Sequence, residues 1–281
     1  MTRDISLQVI EIAGSTMRYI DIGAGETVVL GHSYLWDHRM WQPQIEELAQ
    51  TRRVIVPDLW GHGGSGALPE GTRDVKDLAM HHLELLDRLG VERFALVGLS
   101  VGGMWAAELA LIAPNRVTAL ALMNTFLGPE PEGTRERNLA MLAAVKLARA
   151  VPEPIAQAML PMFFAPATFK ARPDLISQFR DSLRETDPQR IVDTLVPLGR
   201  LIFGRRDTLP DLAGLDVPAI VIAGRYDQAR SVAEGQQTAA VLGCSFVELA
   251  EAGHVSALET PTEVNRHLTA FLDRHLQSKE Q

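Results

Sequence analysis

The stretch "LVGLSVGG", Leu96 to Gly103, sets one serine among glycines where a β-type run gives way to a helical one. Its centre, Gly98-Leu99-Ser100-Val101-Gly102, matches G-x-S-x-G, a pattern that carries chemistry when a strand precedes it and a helix follows. A turn this tight strains the backbone of the serine and leaves no space for side chains at Gly98 or Gly102. The helix that follows aims the positive end of its dipole at any negative charge forming beside the serine. A plain strand-to-helix turn with a serine cap would use the same residues, so the neighbouring segments decide between the two.

Those neighbours read as alternating strand and helix. "RFALVG" (93–98) is a short apolar strand, "VGGMWAAELALIA" (101–113) a helix stopped by Pro114, and "RVTALALMN" (116–124) another strand. Upstream, "ISLQVIEIAG" and "TMRYIDIG" alternate around Gly14-Ser15 as an opening hairpin. "TVVLG" (27–31) and "RVIVPD" (53–58) are β-branched runs of the buried-strand type, with the helical "MWQPQIEELAQ" between them. Residues 75–89 place Val75, Leu78, Ala79, His82, Leu86 and Leu89 at helical spacing and end at Gly90. This pattern predicts an α/β fold with a mostly parallel central sheet flanked by helices.

The alternation is interrupted once. From Gly128 to Asp207 the chain is rich in Ala, Leu and Met, is cut by prolines and contains no clear strand, which predicts an inserted helical cap. Strand and helix then resume with "VPAIVIAG" (217–224), "SVAEGQQTAAVLG", "SFVEL" (245–249) and "PTEVNRHLTAFLDRHL" (261–276). The expected division is a core of 1–127 and 208–281 around a cap of 128–207.

Composition narrows the function. The 281 residues are 46% hydrophobic and 22% charged, with a formal net charge of −8, so broad nucleic-acid binding, which needs basic surface, is not expected. The single cysteine, Cys244, allows no intrachain disulfide. The first residues alternate rather than forming an apolar block, and no run suits a membrane span. A cytoplasmic protein is expected. No HExxH pattern, cysteine cluster or dinucleotide fingerprint occurs, so no metal or organic cofactor is expected.

A serine nucleophile needs an imidazole to take its proton and a carboxylate to orient that imidazole. His254, in "ELAEAGHVSALE", follows the last strand, where functional loops gather in such sheets. His32 and His62 lie in earlier loops. His81 and His82 are adjacent on a helix, a spacing unsuited to a metal pair, and His267 and His275 fall in the final helix. Asp227, in "VIAGRYDQARS", follows the preceding strand and leaves room for one helix and one strand before His254. Asn124 occupies the rival acid position but cannot carry the charge. Asp207 has no convincing strand before it, and Asp58 opens a glycine-rich turn where it would cap backbone N–H groups. Ser100, Asp227 and His254 then occur in the chain order Ser…Asp…His.

Taken together, "GHSYLWDHRMW", "PDLWGHGGSG", "VGLSVGGMWAAELALIAPNRV", "VIAGRYD" and "AGHVSALETP" resemble the α/β-hydrolase superfamily. Within it the chain is similar to 3-oxoadipate enol-lactonases and to small carboxylesterases of the pimeloyl-carrier-protein methyl ester esterase type. The resemblance implies Ser100 as nucleophile, Asp227 as orienting acid and His254 as base, with the backbone N–H groups of Tyr34 and Val101 as the oxyanion hole. Many members carry His-Gly where this chain has His32-Ser33, and a serine there points toward the enol-lactonases. An aspartate at the elbow would indicate an epoxide hydrolase or haloalkane dehalogenase; Ser100 argues against both. The expected activity is hydrolysis of a small, partly apolar ester or lactone through an acyl-enzyme. A C–C hydrolase, thioesterase or perhydrolase would use the same triad, and a small-molecule receptor with vestigial hydrolysis would keep the fold. "MLPMFF" (159–164) and "AMLAAVKLA" suggest an apolar ceiling, with Trp36, Met162 and Phe163 as pocket residues. The arginines at 180, 184 and 190 read as a solvated helix face.

Overall fold

Short β-branched and small apolar runs make poor isolated strands but good buried ones, and here eight of them form one sheet in the order β1-β2-β4-β3-β5-β6-β7-β8. The computed structural model describes residues 6–276; the first five residues, including Ile5 of the opening run, lie outside it, as do the last five. β1 (Gln8–Ile12) and β2 (Ser15–Gly23) form the expected antiparallel hairpin, and β2 also pairs antiparallel with β4 (Arg53–Pro57). All later pairings are parallel, through β3 (Thr27–Gly31), β5 (Phe94–Leu99), β6 (Val117–Met123), β7 (Ala219–Gly224) and β8 (Ser245–Leu249).

The period-two alternation of a strand sends successive side chains to opposite faces, and the sheet carries a core on each. Val28 and Leu30 of β3 face the side covered by α1 (Gln42–Leu48) and the C-terminal helix, whereas Val29 faces α2 (Val75–Arg88) and α3 (Val101–Ile112). Leu78, Leu85 and Leu86 of α2 are wholly buried there, and cutting one such leucine to alanine destabilises a core by about 2–5 kcal/mol. Asp74 caps α2 by accepting the Asp77 N–H, and Gly90 leaves it at a positive φ of 65°, the conformation for which glycine is suited. The helical reading of residues 40–50 divides in two: a 3₁₀ turn over His38–Trp41 precedes α1 (Gln42–Leu48), whose first turn holds Pro43.

Between β6 and β7 the chain is helical. The helices are α4 (Glu132–Ala148), α5 (Glu153–Phe163), α6 (Pro166–Ala171), α7 (Pro173–Arg184), α8 (Pro188–Arg190), α9 (Val196–Phe203) and α10 (Leu209–Leu212), with a π-helical turn over Ile191–Leu195 before α9. The prolines start helices more than they stop them: α5 through α9 each carry one in the first turn, where its missing N–H would be unpaired anyway. α11 (Val232–Leu242) follows β7, and α12 (Ser256–Glu259) and α13 (Pro261–His275) follow β8. Among the described residues no helix is long and apolar enough to cross a membrane.

The order of the sheet places the site. β3 sits between β4 and β5, so the chain leaves it in one direction and returns on the other side. Such a switch point opens a crevice beyond the carboxyl ends of the strands. "HSYLW" follows β3 and Ser100 follows β5, on either side of that crevice.

Candidate active site

Ser100 is held at φ 58° and ψ −120°, a conformation that costs a non-glycine residue about 1–3 kcal/mol. Close packing on both sides enforces it. A Cβ on Gly98 would overlap the Gly102 carbonyl, and one on Gly102 would overlap the carbonyl of Gly31 at the end of β3. The Ser100 side chain makes no capping bond to α3, so the structure disfavours the plain-cap account of the elbow. Thr125 Oγ1 donates to the Ser100 carbonyl at 2.8 Å, and the Ser100 N–H donates to Met123 at 2.9 Å.

Asp227 and His254 meet as the chain order suggested. His254 Nδ1 lies 2.9 Å from Asp227 Oδ2, with both side chains almost fully buried. An acceptor there fixes the proton on Nδ1 and leaves Nε2 as the basic nitrogen. The other Asp227 oxygen accepts the N–H groups of Ala229 and Arg230, each at 2.8 Å. Asn124, noted in the sequence only as a position lacking a charge, donates from Nδ2 to Asp227 Oδ2 at 2.9 Å and to the Gly253 carbonyl at 3.0 Å. Its Oδ1 accepts the Ser256 hydroxyl at 2.6 Å. An amide can donate to a carboxylate, whereas a second carboxylate would repel it; Asn124 therefore joins the acid loop to the histidine loop.

The loop after β3 presents backbone to the crevice. Neither the Tyr34 nor the Val101 N–H makes a hydrogen bond among the described residues. Leu35 sits at a positive φ of 69°, and its N–H donates to His62 Nε2 at 3.0 Å, while His62 Nδ1 lies 2.8 Å from the Trp60 carbonyl. His32 behaves in the same way, its Nε2 accepting the Leu59 N–H at 2.8 Å and its Nδ1 facing the Ser33 carbonyl at 2.8 Å. Both patterns require the neutral Nδ1–H tautomer. Burial lowers both imidazoles, His62 to about 3. Asp58 caps backbone as expected, accepting the His38 N–H at 2.7 Å, and also pairs with His38 Nδ1 at 2.8 Å. Burial works against the charge on His38, but the Asp58 hydrogen bond outweighs it and the imidazole is raised. The Ser33 hydroxyl also faces the site, its Oγ 3.5 Å from His254 Nε2.

A cavity of about 430 Å³ joins Ser33, Ser100 and His254 to the helical insertion. Met162 and Phe163 lie on its wall, and Phe163 meets the His254 ring edge-on at 5.1 Å. Trp36 does not line it. The indole turns away and stacks on Phe179 at 4.8 Å, beside a separate polar cleft across the Leu35 loop. Its stacking partner, Phe179, lies on α7, so the ring packs there rather than on the cavity wall, which corrects the expectation for Trp36. The arginines at 180, 184 and 190 also stay off the cavity wall; Arg137 and Arg230 are the ones on it.

The insertion touches each loop of the site. Tyr34 Oη donates to the Leu195 carbonyl at 2.7 Å, and the His254 N–H donates to the Phe163 carbonyl at 2.8 Å. Glu259 accepts the N–H groups of Gly253 at 2.9 Å and Ala165 at 2.7 Å, and the Thr168 hydroxyl at 2.6 Å. Burial raises its carboxyl despite these donors. Glu130, just before α4, is buried between Arg230 of the acid loop and Arg205 beyond α9. Burial opposes its charge, yet the guanidiniums outweigh it and hold the carboxyl below the usual range. Apart from the bond between Gly253 and Glu259, six residues apart, these ties join residues far apart in the chain and carry no local sequence signal. Among the described residues no three His, Cys, Asp or Glu side chains gather as a metal site.

Comparison with known proteins gives a consistent result. Residues 26–261 match the model of the alpha/beta hydrolase fold family. 3-Oxoadipate enol-lactonase 2 of Acinetobacter baylyi is 28% identical over 235 residues, covering 84% of each chain. A thermophilic esterase from Thermogutta terrifontis superposes with a TM-score of 0.86 at 28% identity, covering 96% of this chain and 100% of the other. The enol-lactonase from Burkholderia xenovorans LB400 gives 0.83 at 28% identity, covering 94% and 99%.

Proposed function

The chain belongs to the alpha/beta hydrolase fold family, and from that premise we propose that it is a serine hydrolase of carboxylic esters or lactones with Ser100 as nucleophile. The observation that carries this reading is the convergence of the strained, uncapped Ser100 and the Asp227-held His254 on one cavity. The esterase and enol-lactonase neighbours add support for the bond type.

In the proposed reaction, His254 Nε2 takes the proton of Ser100 Oγ as that oxygen attacks the substrate carbonyl. Asp227 holds the imidazole in the required tautomer and stabilises the imidazolium. The negative charge on the carbonyl oxygen is received by the N–H groups of Tyr34 and Val101, which have no other partner among the described residues, and by the N-terminus of α3. One such donor is worth about 10²–10³ in turnover. The imidazolium then protonates the leaving alkoxide, and the acyl group remains on Ser100. Water, deprotonated by His254, attacks the acyl-enzyme and releases the acid. In a lactone the leaving alkoxide stays attached to the acyl chain, so the product is a single hydroxy acid. The apolar wall of Met162, Phe163 and the helices above it suits a substrate that is partly apolar.

The test is hydrolysis of p-nitrophenyl acetate by the intact protein and by Ser100→Ala. The variant should lose about 10⁴–10⁶ of the turnover and keep its circular dichroism spectrum. A folded variant that retains wild-type turnover ends the assignment.

A further inference from the structure

The cavity wall formed by α4 is graded. Thr134, Asn138, Met141, Leu142 and Val145 all line the cavity, and their spacing of three and four residues places them on one stripe of the helix. With a rise of about 1.5 Å per residue, the apolar part from Met141 to Val145 extends about 6 Å beyond the polar part. Asn138 sits at the boundary. It is 6% exposed, lines the cavity and makes no side-chain hydrogen bond among the described residues. A carboxamide offers two donors and an acceptor, and these face the cavity with no protein partner among the described residues. Leucine, similar in volume, would continue the apolar stripe of Met141 and Leu142 and offer the cavity no hydrogen bond. By comparison, Thr134 already accepts Arg137 Nη2 at 3.2 Å, and Ser231 and Glu234 satisfy each other in a capping box at the start of α11.

We propose that Asn138 is a specificity-determining residue whose carboxamide hydrogen-bonds a second, neutral polar group of the substrate, a carbonyl, amide or hydroxyl that is followed by an apolar tail lying along Met141, Leu142 and Val145. The inference rests on the ester or lactone hydrolase reading above and names the substrate class within it: bifunctional rather than plain alkyl esters. A neutral partner fits because the amide both donates and accepts and carries no charge to balance an anion. A site built to hydrogen-bond such a group discriminates against an analogue lacking it, because its own polar atoms are then left unpaired in the complex.

The test is a positional scan. p-Nitrophenyl octanoate is compared with analogues in which one chain methylene after another is replaced by a carbonyl, for the wild type, Asn138→Leu and Asn138→Ala. The wild type should favour one carbonyl position by about tenfold in kcat/KM over its neighbours, and both variants should lose that peak, leaving a flat profile. The comparison is a ratio within each protein, so a loss of folded material cancels, and thermal melting reports whether either variant is folded. A flat wild-type profile overturns the proposal whatever the variants do, as does a peak that survives both substitutions. Failure of the underlying reading is separate: it would show as no hydrolysis of any ester, p-nitrophenyl acetate included, by the wild type.

Discussion

His254 with Asp227 and His38 with Asp58 are built from the same parts. In each, a carboxylate with no exposed surface faces an imidazole Nδ1, at 2.9 Å in the first pair and 2.8 Å in the second. Each aspartate follows a strand of the sheet, β7 or β4, and each also accepts backbone N–H, two at Asp227 and one at Asp58. The difference lies beyond the imidazole. His254 reaches into the cavity that holds Ser100, beside two N–H groups without partners among the described residues. His38 follows the Leu35 loop by three residues, and Asp58 takes both its ring and its backbone N–H. A histidine–aspartate pair is therefore no signature of catalysis; the strained serine and the free amides beside it are what separate the two.

The largest expected effect comes from neutralising each carboxylate in turn. Asp227→Asn should lower kcat by about 10⁴, because the amide favours the wrong imidazole tautomer, with only a modest change in melting temperature. Asp58→Asn should leave kcat within about tenfold and cost about 1–3 kcal/mol in urea unfolding, because it weakens loop anchoring rather than proton transfer. Equal losses of turnover in the two variants would break the distinction.

The contrast was legible in the sequence for one pair and not for the other. Strand–serine–helix, then aspartate and histidine after successive strands, is a pattern along the chain, so Ser100, Asp227 and His254 can be proposed from position alone. The β-branched runs and the proline-cut helical segment gave the sheet and its insertion for the same local reason. Asn124, Glu130 and Glu259 act through partners far away in the chain: Glu130 and Arg230, for example, are 100 residues apart. No spacing rule reaches that far. Trp36 was misplaced because an aromatic beside an oxyanion loop can face either way, and only the stacking partner Phe179 on α7 decides it.

The second prediction separates the histidines by charge. His62 and His82 are buried and lowered by that burial to about 3. A lowered imidazole contributes stability above its unfolded value of 6.5 and loses it as pH falls toward 3. Together the two should cost about 2–3 kcal/mol per pH unit once the pH is well below 6.5. His38 has the opposite sign: raised by Asp58, it contributes stability below pH 6.5 and loses it as pH rises through its folded value. Urea midpoints measured from pH 7.5 to 5 should therefore fall with acid. Asp58→Asn should steepen that fall, because it removes a term that favours acid. A midpoint that rises toward pH 5 would contradict the neutral tautomers assigned to the loop histidines.

A smaller effect sharpens the catalytic side alone. Asn124→Leu removes two donors and one acceptor between the acid loop and the histidine loop. It should reduce kcat by about tenfold, with KM changed much less, as for a loss of orientation worth about one to two hydrogen bonds. A change confined to KM would place Asn124 in substrate binding instead.

The central claim, that Ser100 rather than any other hydroxyl is the nucleophile, is tested most directly by covalent trapping. The protein is treated with a fluorophosphonate, its intact mass is measured and the modified peptide is sequenced. One adduct per chain is expected, on Ser100, absent from Ser100→Ala and strongly slowed in Asp227→Asn. An adduct on Ser33, whose hydroxyl lies 3.5 Å from His254 Nε2, or undiminished labelling of Ser100→Ala would contradict it.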